Sequence, residues 1–582
     1  MNILLNQVRI YGFRGLKNIE IDLKQTTVIV GSNNSGKTTF LRALQIALSN
    51  SFTVSSDDFY YDETTSTNQI IIDVSFIPVD ENHQQIAVFS DEWQTVFTVD
   101  KIALDVDGQQ SVRYRTIIEE DPVRDSYRKK QYIIDVWEDF EASGHFWYQQ
   151  EYTSELRFYF DEIPFHYMDA NRDILEDIKN KRSYLGKILS SIEYPRAKKE
   201  EIERLIQELN QMAINGSAVL TDITATLSDL DTTMDNSNRS VNLSPFTKKV
   251  KDFNKSIKIQ YADFAMDYHG MGTRSWSSLL VLKAFIAFYH KRAVDQSKLF
   301  FPIVAVEEPE AHLHPNAQKK LYSQINNIRG QKIISTHSSY VAGCADLHEI
   351  RVLSKQDTNV LVGQLETELL DSEQKRQINR QVVNTRGELF FAKAVVLFEG
   401  ETEEQVLPVL AERHFGLSAL ELGVNFVGVG GYTKYTPFIQ FCEAFNIAYY
   451  IFSDNDKSGA VNTSVTNQIN AATNKDLSVV VFLEEECDFE QQLIYHGYLE
   501  EVKEALIECK IRKNNAIRPE HIADINRQVS ADSNEEIYKA ITGMKTQFAA
   551  TIAPILFDSE KPLPPKIIEL FNKLPITEQS DD

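Results

Sequence analysis

The segment GSNNSGKT, from Gly31 to Thr38, decides the fold of the N-terminal part of this chain. It matches the pattern GxxxxGK[ST], in which a glycine-rich turn aims backbone N–H groups at phosphate oxygens. The run TTVIV precedes it as a strand, and KTTFLRALQIAL has the apolar periodicity of a helix. This context favours a nucleotide-binding P-loop over an ordinary glycine turn. The predicted nucleotide-binding residues of the loop are Gly31, Asn34, Ser35, Gly36, Lys37, Thr38 and Thr39.

Carboxylates that could serve the same nucleotide follow much later in the chain. The run FFPIVAVEEPEAHLHP, residues 300–315, reads as a buried strand that ends at Glu307 and Glu308. There, Glu307 could hold the water shell of Mg²⁺, and Glu308 could polarise the attacking water. The next apolar strand ends at His337, a candidate contact for the γ-phosphate. A lone histidine is more often a surface or core residue, but its place at a strand end favours the nucleotide.

Length and composition limit the class of protein. A chain of 582 residues exceeds the size of one hydrophobic core, so about two to four domains are expected. Hydrophobic residues make up 42% and charged residues 25%, as in folded soluble proteins. The longest apolar stretch, Ser278 to His290, is too short to span a bilayer and contains Lys283. Four cysteines fall singly, without zinc spacing, and we expect a reduced, cytoplasmic protein.

The net charge is strongly negative, since 60 basic and 84 acidic residues give −24. Such a charge disfavours nonspecific binding of polyanions by the surface as a whole, but it does not exclude nucleic acid. Local basic patches can still bind phosphate, although each is more commonly a solvated helix face. The candidate patches are residues 124–130, 196–199 and 248–258.

The order of strand-like and helical runs predicts four segments. Residues 1–175 read as the first part of a nucleotide-binding domain, and residues 176–250 as a helical insertion. Residues 251–385 complete that domain, and residues 386–582 form a second α/β block with a C-terminal helical extension. One helical face of the insertion is apolar and needs burial: Ile202, Leu205, Ile206, Leu209 and Met212.

A second group of acidic residues follows strands in the C-terminal block. AVVLFEGETEE is a strand that leads into a helix with Thr402 as candidate N-cap, and AYYIFSDNDKSG and SVVVFLEEECDFE are two further strands. Because parallel strands end at one edge of a sheet, their acidic residues should converge. Clustered carboxylates repel one another unless a cation is bound, which favours a Mg²⁺ or Mn²⁺ site over solvated surface. These residues are Glu399, Asp454, Asp456, Asp488 and Glu490.

The nucleotide-binding part resembles a known group of ATPases. NQVRIYGFRGLKNIEIDL, the P-loop, EEPEAHLHP and ISTHS are similar to segments of the ABC-type ATPases of recombination and repair, which include SMC-like, RecF-like and OLD (overcoming lysogenization defect) proteins. Glu307 stands where the group more commonly has aspartate. The resemblance implies that YHGMGTRSWSSLL, residues 268–280, is the signature loop, although it departs from the usual LSGGQ. Nucleotide on an opposite subunit would then contact Gly270, Gly272 and Ser275.

The C-terminal block resembles the Toprim fold of topoisomerases, primases, recombination mediators and OLD-family nucleases. An ATPase followed by Toprim matches the OLD order, which is also that of the nuclease subunit of the Gabija anti-phage defence system. The implied fold class is α/β: an ABC/RecF-like P-loop ATPase domain with a helical dimerisation insertion, followed by a Toprim α/β domain. The resemblance also implies a catalytic lysine at Lys545, in ITGMK. The implied metal ligands are Glu399, Glu403, Asp454, Asp456 and Glu490, with Glu404 competing for the role of Glu403 and Asp488 for that of Glu490.

The sequence and the resemblance together predict an ATP-regulated, divalent-metal-dependent DNA endonuclease of the OLD family, acting in anti-phage defence. Its predicted catalytic residues are Glu399 and Lys545 at DNA and Glu308 at ATP, and its predicted cofactors are ATP and Mg²⁺ or Mn²⁺. The predicted partners are double-stranded DNA, further copies of the chain in a homodimer or tetramer, and a helicase subunit. The alternative is a nucleotide-gated DNA-repair clamp of the RecF/SMC type, whose Toprim domain does not cleave. Lys545 and the carboxylate pair after the third strand, Asp488 and Glu490, favour the nuclease, because a binding-only Toprim domain needs neither.

Overall fold

The structure is a computed structural model that divides into two compact units. The larger unit comprises residues 1–160 and 333–582, and the smaller unit comprises residues 161–332. The residues that it describes are 2–49, 53–62, 66–124, 126–140, 146–152, 154–156, 160–191, 194–221, 260–261, 264–356, 359–365, 370–383, 386–455, 459–484, 486–514 and 518–576.

Strands and helices alternate along most of the described chain. The strands are β1 (Asn2–Phe13), β2 (Leu16–Asp22), β3 (Thr26–Val30), β4 (Gln69–Val79), β5 (Ile102–Leu104), β6 (Gln110–Asp121), β7 (Ser126–Ile133), β8 (Phe165–Met168), β9 (Gln260–Tyr261), β10 (Phe264–Ala265), β11 (Ile303–Glu307), β12 (Gln331–Thr336), β13 (Ile350–Gln356), β14 (Asn359–Gly363), β15 (Ala394–Phe398), β16 (Val424–Gly428), β17 (Ala448–Ser453) and β18 (Val480–Phe482). The α-helices are α1 (Lys37–Leu48), α2 (Asp91–Phe97), α3 (Ile174–Lys179), α4 (Tyr184–Ser190), α5 (Arg196–Asn215), α6 (Met271–Asp295), α7 (Pro315–Asn326), α8 (Ser339–Ala342), α9 (Ser372–Ile378), α10 (Glu401–Phe415), α11 (Ala419–Leu422), α12 (Thr436–Ala444), α13 (Ala460–Asn470), α14 (Phe489–Tyr495), α15 (Leu499–Lys513), α16 (Pro519–Ala531), α17 (Asn534–Thr542), α18 (Lys545–Asp558) and α19 (Pro565–Lys573).

The larger unit begins with an antiparallel sheet in the order β2-β1-β4-β6-β5, with β7 also paired to β6. The strand β4 is almost wholly buried, and it lies between β1 and β6. A buried ion pair crosses the sheet, where Arg115 donates to both carboxylate oxygens of Asp73 at 2.9 and 2.8 Å. A buried charge needs such a partner because it has lost its hydration.

The P-loop leaves a second sheet, whose order within the larger unit is β14-β13-β3-β12. β3 and β13 run parallel, with Val28 opposite Ile350, and β14 pairs antiparallel with β13. All five residues of β3 are buried, as expected for the apolar run TTVIV in the middle of a sheet. The P-loop therefore directly follows the end of a buried strand of this sheet.

The C-terminal part of the larger unit contains a third, fully parallel sheet in the order β16-β15-β17-β18. Its central strand β15, AVVLF, is buried at every position. The helix α18 packs against α10 and α15, and these helices share one apolar core with the sheet. Since all four strands run in the same direction, their carboxyl ends lie along one edge, as the sequence predicts.

The smaller unit pairs β8 with β11 in parallel, with Phe165 opposite Ile303. The helices α3 and α4 pack against α6, and α5 follows them. Much of the predicted insertion, residues 222–250, lies outside the described residues. None of the described helices of either unit is long and apolar enough to cross a membrane.

Candidate active sites

The P-loop has the geometry that its sequence predicts. α1 begins at Lys37, directly after Gly36, whose φ of 97° lies in the left-handed region that favours glycine. A Cβ atom on Gly31 would lie 2.3 Å from the carbonyl oxygen of Leu353, so glycine is required there as well. The ammonium of Lys37 donates to the carbonyls of Gly31 at 2.8 Å and Ser32 at 2.7 Å. These bonds hold the positive charge at the centre of the loop.

The other predicted nucleotide contacts of the larger unit flank this lysine. Asn34 has a φ of 63°, which turns the loop, and Ser35 is fully buried with its hydroxyl 3.4 Å from the Lys37 ammonium. Thr39 lies in the first turn of α1. His337 follows β12 directly, at the strand end where the sequence predicts it.

Two arginines that the sequence analysis did not single out lie beside the P-loop. Thr38, Arg14 and Arg42 line one cavity of about 310 Å³. The Nε of Arg14 donates a hydrogen bond of 2.7 Å to Asp58, and its φ of 49° marks a tight turn between β1 and β2. The positive charge of both side chains suits the phosphates of a nucleotide. The signal for Arg14 was the turn FRG between two strands.

An arginine binds the backbone of the predicted acidic pair in the smaller unit. Arg172 donates to the backbone carbonyls of Glu307 at 2.9 Å and of Glu308 at 3.0 Å. Glu307 ends β11, and its carboxylate accepts a hydrogen bond from the hydroxyl of Tyr167. Glu308 has a φ of 41°, a left-handed conformation that is costly for a residue with a side chain and concentrates at functional sites. The direction of the Glu308 side chain is therefore set by a strained backbone.

The predicted signature segment forms the beginning of α6. Gly270 is the N-cap of this helix, and a Cβ on Gly272 would lie 2.5 Å from the carbonyl oxygen of His312. The start of α6 thus packs tightly on the segment that follows Glu308. Ser275 is buried, and its hydroxyl has no hydrogen-bond partner in the described part of the chain. Its contact with a nucleotide on an opposite subunit stays a prediction.

The acidic residues of the C-terminal block converge at the edge of the parallel sheet. Glu399 directly follows β15, and Asp454 directly follows the neighbouring strand β17. The hydroxyl of Ser453 donates to Glu399 at 2.7 Å and ties the two strand ends together. Asp454 interacts electrostatically with the other carboxylates of a group that we call the carboxylate cluster: Glu399, Glu403, Asp454, Asp488 and Glu490.

Burial and mutual repulsion dominate the electrostatics of the carboxylate cluster. Burial raises the pKa of Asp454 well above its ordinary value, and the charges of Glu403 and Glu399 raise it further. Burial also raises the pKa of Glu403, to which repulsion from Glu490 adds. Ionising all of these carboxyl groups together therefore costs free energy unless a positive charge is added. The cluster is poised to accept a cation.

One positive charge comes from the predicted catalytic lysine. Lys545 is the first residue of α18, and its ammonium lies 3.2 Å from Glu490, which is almost completely buried. Burial alone would lower the pKa of Lys545, but the charge and hydrogen bond of Glu490 prevail and raise it. The other Glu490 oxygen accepts a hydrogen bond of 2.7 Å from Thr402. Lys545 is thus a half-buried, fully protonated cation at the edge of the cluster.

The structure separates the residues that competed for the same roles. Glu403 is buried inside the cluster, whereas Glu404 is exposed. Asp488 is the N-cap of α14 and accepts hydrogen bonds from the backbone of Gln491 at 2.9 Å and from the hydroxyl of Tyr538 at 2.5 Å. Glu490, in contrast, faces Lys545. The roles of both remain a prediction, but Asp488 already has a structural task.

The donor chemistry of the cluster fits a divalent metal ion. Among the described residues, no group of three or more His, Cys, Asp or Glu side chains is already arranged to hold a metal ion. The predicted ligand Asp456 lies outside those residues. One oxygen of Asp454 is buried without a hydrogen-bond partner in the described parts of the chain, which leaves it available as a ligand. Hard carboxylate oxygens are the ligands that Mg²⁺ and Mn²⁺ prefer.

Sequence reasoning missed or misplaced three polar partners of the cluster. The helix α10 begins at Glu401 with Gly400 as its N-cap, so the prediction of Thr402 as N-cap is wrong. Gly400 is extended, and a Cβ there would lie 2.7 Å from a carboxylate oxygen of Glu403. Tyr538 and Tyr435 come from helices distant in sequence, and a tyrosine in a polar helix carries no signal by itself. For Tyr435, the preceding GVGG turn is the signal that could have been used.

Comparisons with known protein families match two parts of the chain. Residues 4–342 match the family of the AAA ATPase domain, and residues 390–456 match the TOPRIM domain of proteins like the overcoming lysogenization defect protein. The chain belongs to the OLD-type family of ATPases with a TOPRIM domain. The sequence-based predictions of this family and of its α/β fold class are confirmed.

Relatives with nuclease names match this chain at low identity. The chain is 23% identical over 482 residues to the OLD nuclease of Thermus scotoductus, covering 78% of this chain and 82% of that one. It is 21% identical over 208 residues to the endonuclease GajA of Bacillus cereus, covering 31% and 30%. Among solved structures, the C-terminal region of the Xanthomonas campestris OLD protein matches 32% of this chain and 94% of its own, at 22% identity and a TM-score of 0.26. This OLD-type chain is therefore related to proteins that are named as nucleases.

Proposed function

We propose that this OLD-type protein is a divalent-metal-dependent DNA endonuclease whose cleavage is controlled by ATP. The observation that carries the proposal is the carboxylate cluster with Lys545 beside it, at the C-terminal edge of the parallel sheet. The relatives with nuclease names support the same class of activity. A role in defence against phage DNA is a further part of the proposal, and it rests on the resemblance of the domain order to that of the nuclease subunit of the Gabija system.

The proposed roles at the DNA follow from the positions of the side chains. A bound divalent cation would activate water and neutralise charge on the phosphodiester. Glu399, Glu403 and Asp454 would hold it, since Glu399 and Asp454 follow neighbouring strands and Glu403 is buried in the first turn of α10. Asp456 is the further proposed ligand. Lys545 would donate a hydrogen bond to the phosphate that is cleaved. Before DNA binds, Glu490 would orient the ammonium of Lys545.

The proposed roles at ATP follow from the P-loop and the acidic pair. Lys37 would hold the β- and γ-phosphates, and Thr38 would help to hold Mg²⁺. Glu307 would bind the water shell of that ion, and Glu308 would polarise the attacking water. An ATPase that is covalently attached to a nuclease suggests regulation, because the nuclease chemistry itself needs only metal.

Assembly with further copies of the chain is part of the proposal. The helix α5 exposes Leu205, Leu209 and Met212, whose side chains are 46%, 50% and 62% accessible. These positions, spaced by four and three residues, form one apolar stripe on the helix. Such a stripe suits burial against the same helix of a second chain, giving a homodimer or a tetramer. Double-stranded DNA is the proposed substrate, and a helicase subunit is a proposed partner.

The rival function is a nucleotide-gated repair clamp that binds DNA without cutting it. The contact between Lys545 and Glu490 favours the nuclease, because a clamp has no need of a cation at a carboxylate cluster. Supercoiled plasmid incubated with the purified protein decides between them. We expect nicked or linear DNA in the presence of Mg²⁺ or Mn²⁺, at a rate that changes with ATP. Binding of the plasmid without cleavage under every combination of metal and nucleotide would favour the clamp.

A further inference from the structure

A tyrosine that takes no part in the proposed chemistry lies at the base of the carboxylate cluster. Tyr435 is completely buried, and it is the N-cap residue of α12. The turn before it runs through Gly430 and Gly431, whose φ values of 76° and 128° favour glycine. This turn brings the chain back from the end of β16 and carries the ring of Tyr435 to the edge of the sheet where the acidic residues meet.

The hydroxyl of Tyr435 lies close to the hydroxyl of Ser453 but makes no hydrogen bond of acceptable geometry in the described part of the chain. It interacts electrostatically with Glu399, Glu403 and Asp454. Among the described residues, one oxygen of Asp454 is likewise buried without a hydrogen-bond partner. Burial and the charge of Glu399 raise the pKa of the phenol well above 10, so the group is a neutral hydrogen-bond donor at any working pH.

A buried hydroxyl without a partner destabilises a protein, and phenylalanine would fill the same space without that cost. A donor kept near a carboxylate oxygen of Asp454 that also lacks a partner in the described part of the chain is useful if the cluster binds a cation. We propose that Tyr435 is a positioning residue of the metal site, whose hydroxyl donates a hydrogen bond to a carboxylate of the cluster when that carboxylate holds a divalent cation. This inference rests on the proposed function, because it assumes that the cluster binds metal.

A second buried tyrosine of the same unit provides a matched control. Tyr498 is also almost completely buried, but its hydroxyl donates to the backbone carbonyls of Lys561 at 3.1 Å and Pro562 at 3.0 Å. Its hydroxyl is therefore satisfied by the fold itself, away from the carboxylate cluster. The substitutions Tyr435→Phe and Tyr498→Phe remove the same atom from the same residue type, and should have opposite consequences.

The experiment measures metal-free stability and metal affinity separately. Thermal unfolding in chelator should show Tyr435→Phe at least as stable as the wild type, whereas Tyr498→Phe should be less stable because it loses satisfied hydrogen bonds. Calorimetric titration with Mn²⁺ should show about tenfold weaker binding for Tyr435→Phe, as expected for the loss of a hydrogen bond to an ionised group, and unchanged affinity for Tyr498→Phe. Plasmid cleavage by Tyr435→Phe should recover when Mn²⁺ is raised to saturation.

Two results would overturn the role of Tyr435. One is wild-type Mn²⁺ affinity in Tyr435→Phe, and the other is a loss of metal-free stability as large as that of Tyr498→Phe. The variant Asp454→Ala separates this inference from the proposed function. If Asp454→Ala abolishes the Mn²⁺ binding of the wild type but Tyr435→Phe binds Mn²⁺ with wild-type affinity, only the role of Tyr435 is refuted. If no binding depends on Asp454, the metal site itself is refuted and the inference falls with it.

Discussion

The ammonium of Lys545 lies 3.2 Å from the carboxylate of Glu490, so the first residue of α18 is tied to the second residue of α14. The two residues are distant in sequence, and the contact fixes a cation at the edge of a buried group of carboxylates. A half-buried ion pair of this kind does little for stability that an apolar pair would not do better. Its position beside the cluster is what gives it a function in the proposed cleavage of DNA.

This contact predicts different outcomes for the two acidic residues of α14. Glu490→Gln and Lys545→Met should each reduce plasmid cleavage by about a hundredfold or more, the scale seen when a group that stabilises a transition state is removed. Asp488→Asn should retain most of the cleavage, because asparagine caps a helix as well as aspartate does. Initial cleavage rates with Mn²⁺ check this. A larger loss in Asp488→Asn than in Glu490→Gln would reverse the assignment.

The ATP site predicts that two of its variants diverge. Lys37→Ala should fail to bind ATP and keep the nucleotide-free behaviour, whereas Glu308→Gln should bind ATP and hydrolyse it slowly. With ATP present, the cleavage rates of the two variants should depart from the wild type in opposite directions. A coupling free energy of about 1.4 kcal/mol between the sites would give a tenfold change. Equal cleavage rates in both variants and the wild type, across ATP concentrations, would show that ATP does not control cleavage.

The P-loop and the acidic strand ends were predictable because each depends on a short run of sequence. TTVIV before GSNNSGKT, and AVVLF before Glu399, are apolar strands that end at the functional residue. Arg172 and Tyr435 were not predictable in the same way. Each acts through contacts with residues far away in the chain, and neither lies in a motif. The N-cap of α10 was misplaced because threonine is a favoured N-cap residue, whereas the helix begins after Gly400 and the Thr402 hydroxyl donates to Glu490 instead.

The exposed stripe on α5 predicts an oligomer. Leu205→Ser combined with Leu209→Ser should reduce the mass measured by light scattering at micromolar concentration, because apolar area that is buried on association would be lost. Gln207→Ser combined with Gln211→Ser, at exposed positions of the same helix, should leave the mass unchanged. A monomeric wild-type protein, with and without nucleotide, would refute the proposed assembly.

A partly buried histidine of the smaller unit predicts a pH dependence of stability. Burial, with a smaller contribution from Lys187, lowers the pKa of His166 to about 4, and its ring packs edge-on against Tyr184 and Phe285. Between the unfolded pKa of about 6.5 and the folded value, the unfolded state binds a proton that the folded state does not, so stability falls as pH falls. At pH 5 this loss is on the order of 2 kcal/mol relative to pH 7.

The glutamine side chain in His166→Gln is neutral at every pH, so this variant should lack the part of the stability loss in acid that comes from His166. The free energy of unfolding of the wild type and the variant, compared at pH 7 and pH 5, isolates the contribution of His166, because the other titratable groups are the same in both proteins. If the two proteins lose stability equally on acidification, His166 is not held neutral by the fold.

The central claim is that the carboxylate cluster cuts DNA with the help of a divalent metal ion. The most direct test is the initial rate of supercoiled plasmid cleavage with Mn²⁺ by the wild type and by Asp454→Ala, with Glu404→Ala as the exposed control. The account predicts cleavage by the wild type and by Glu404→Ala that stops when metal is removed, and none by Asp454→Ala while ATP binding persists. Wild-type cleavage by Asp454→Ala, or equal rates with and without metal, would contradict it.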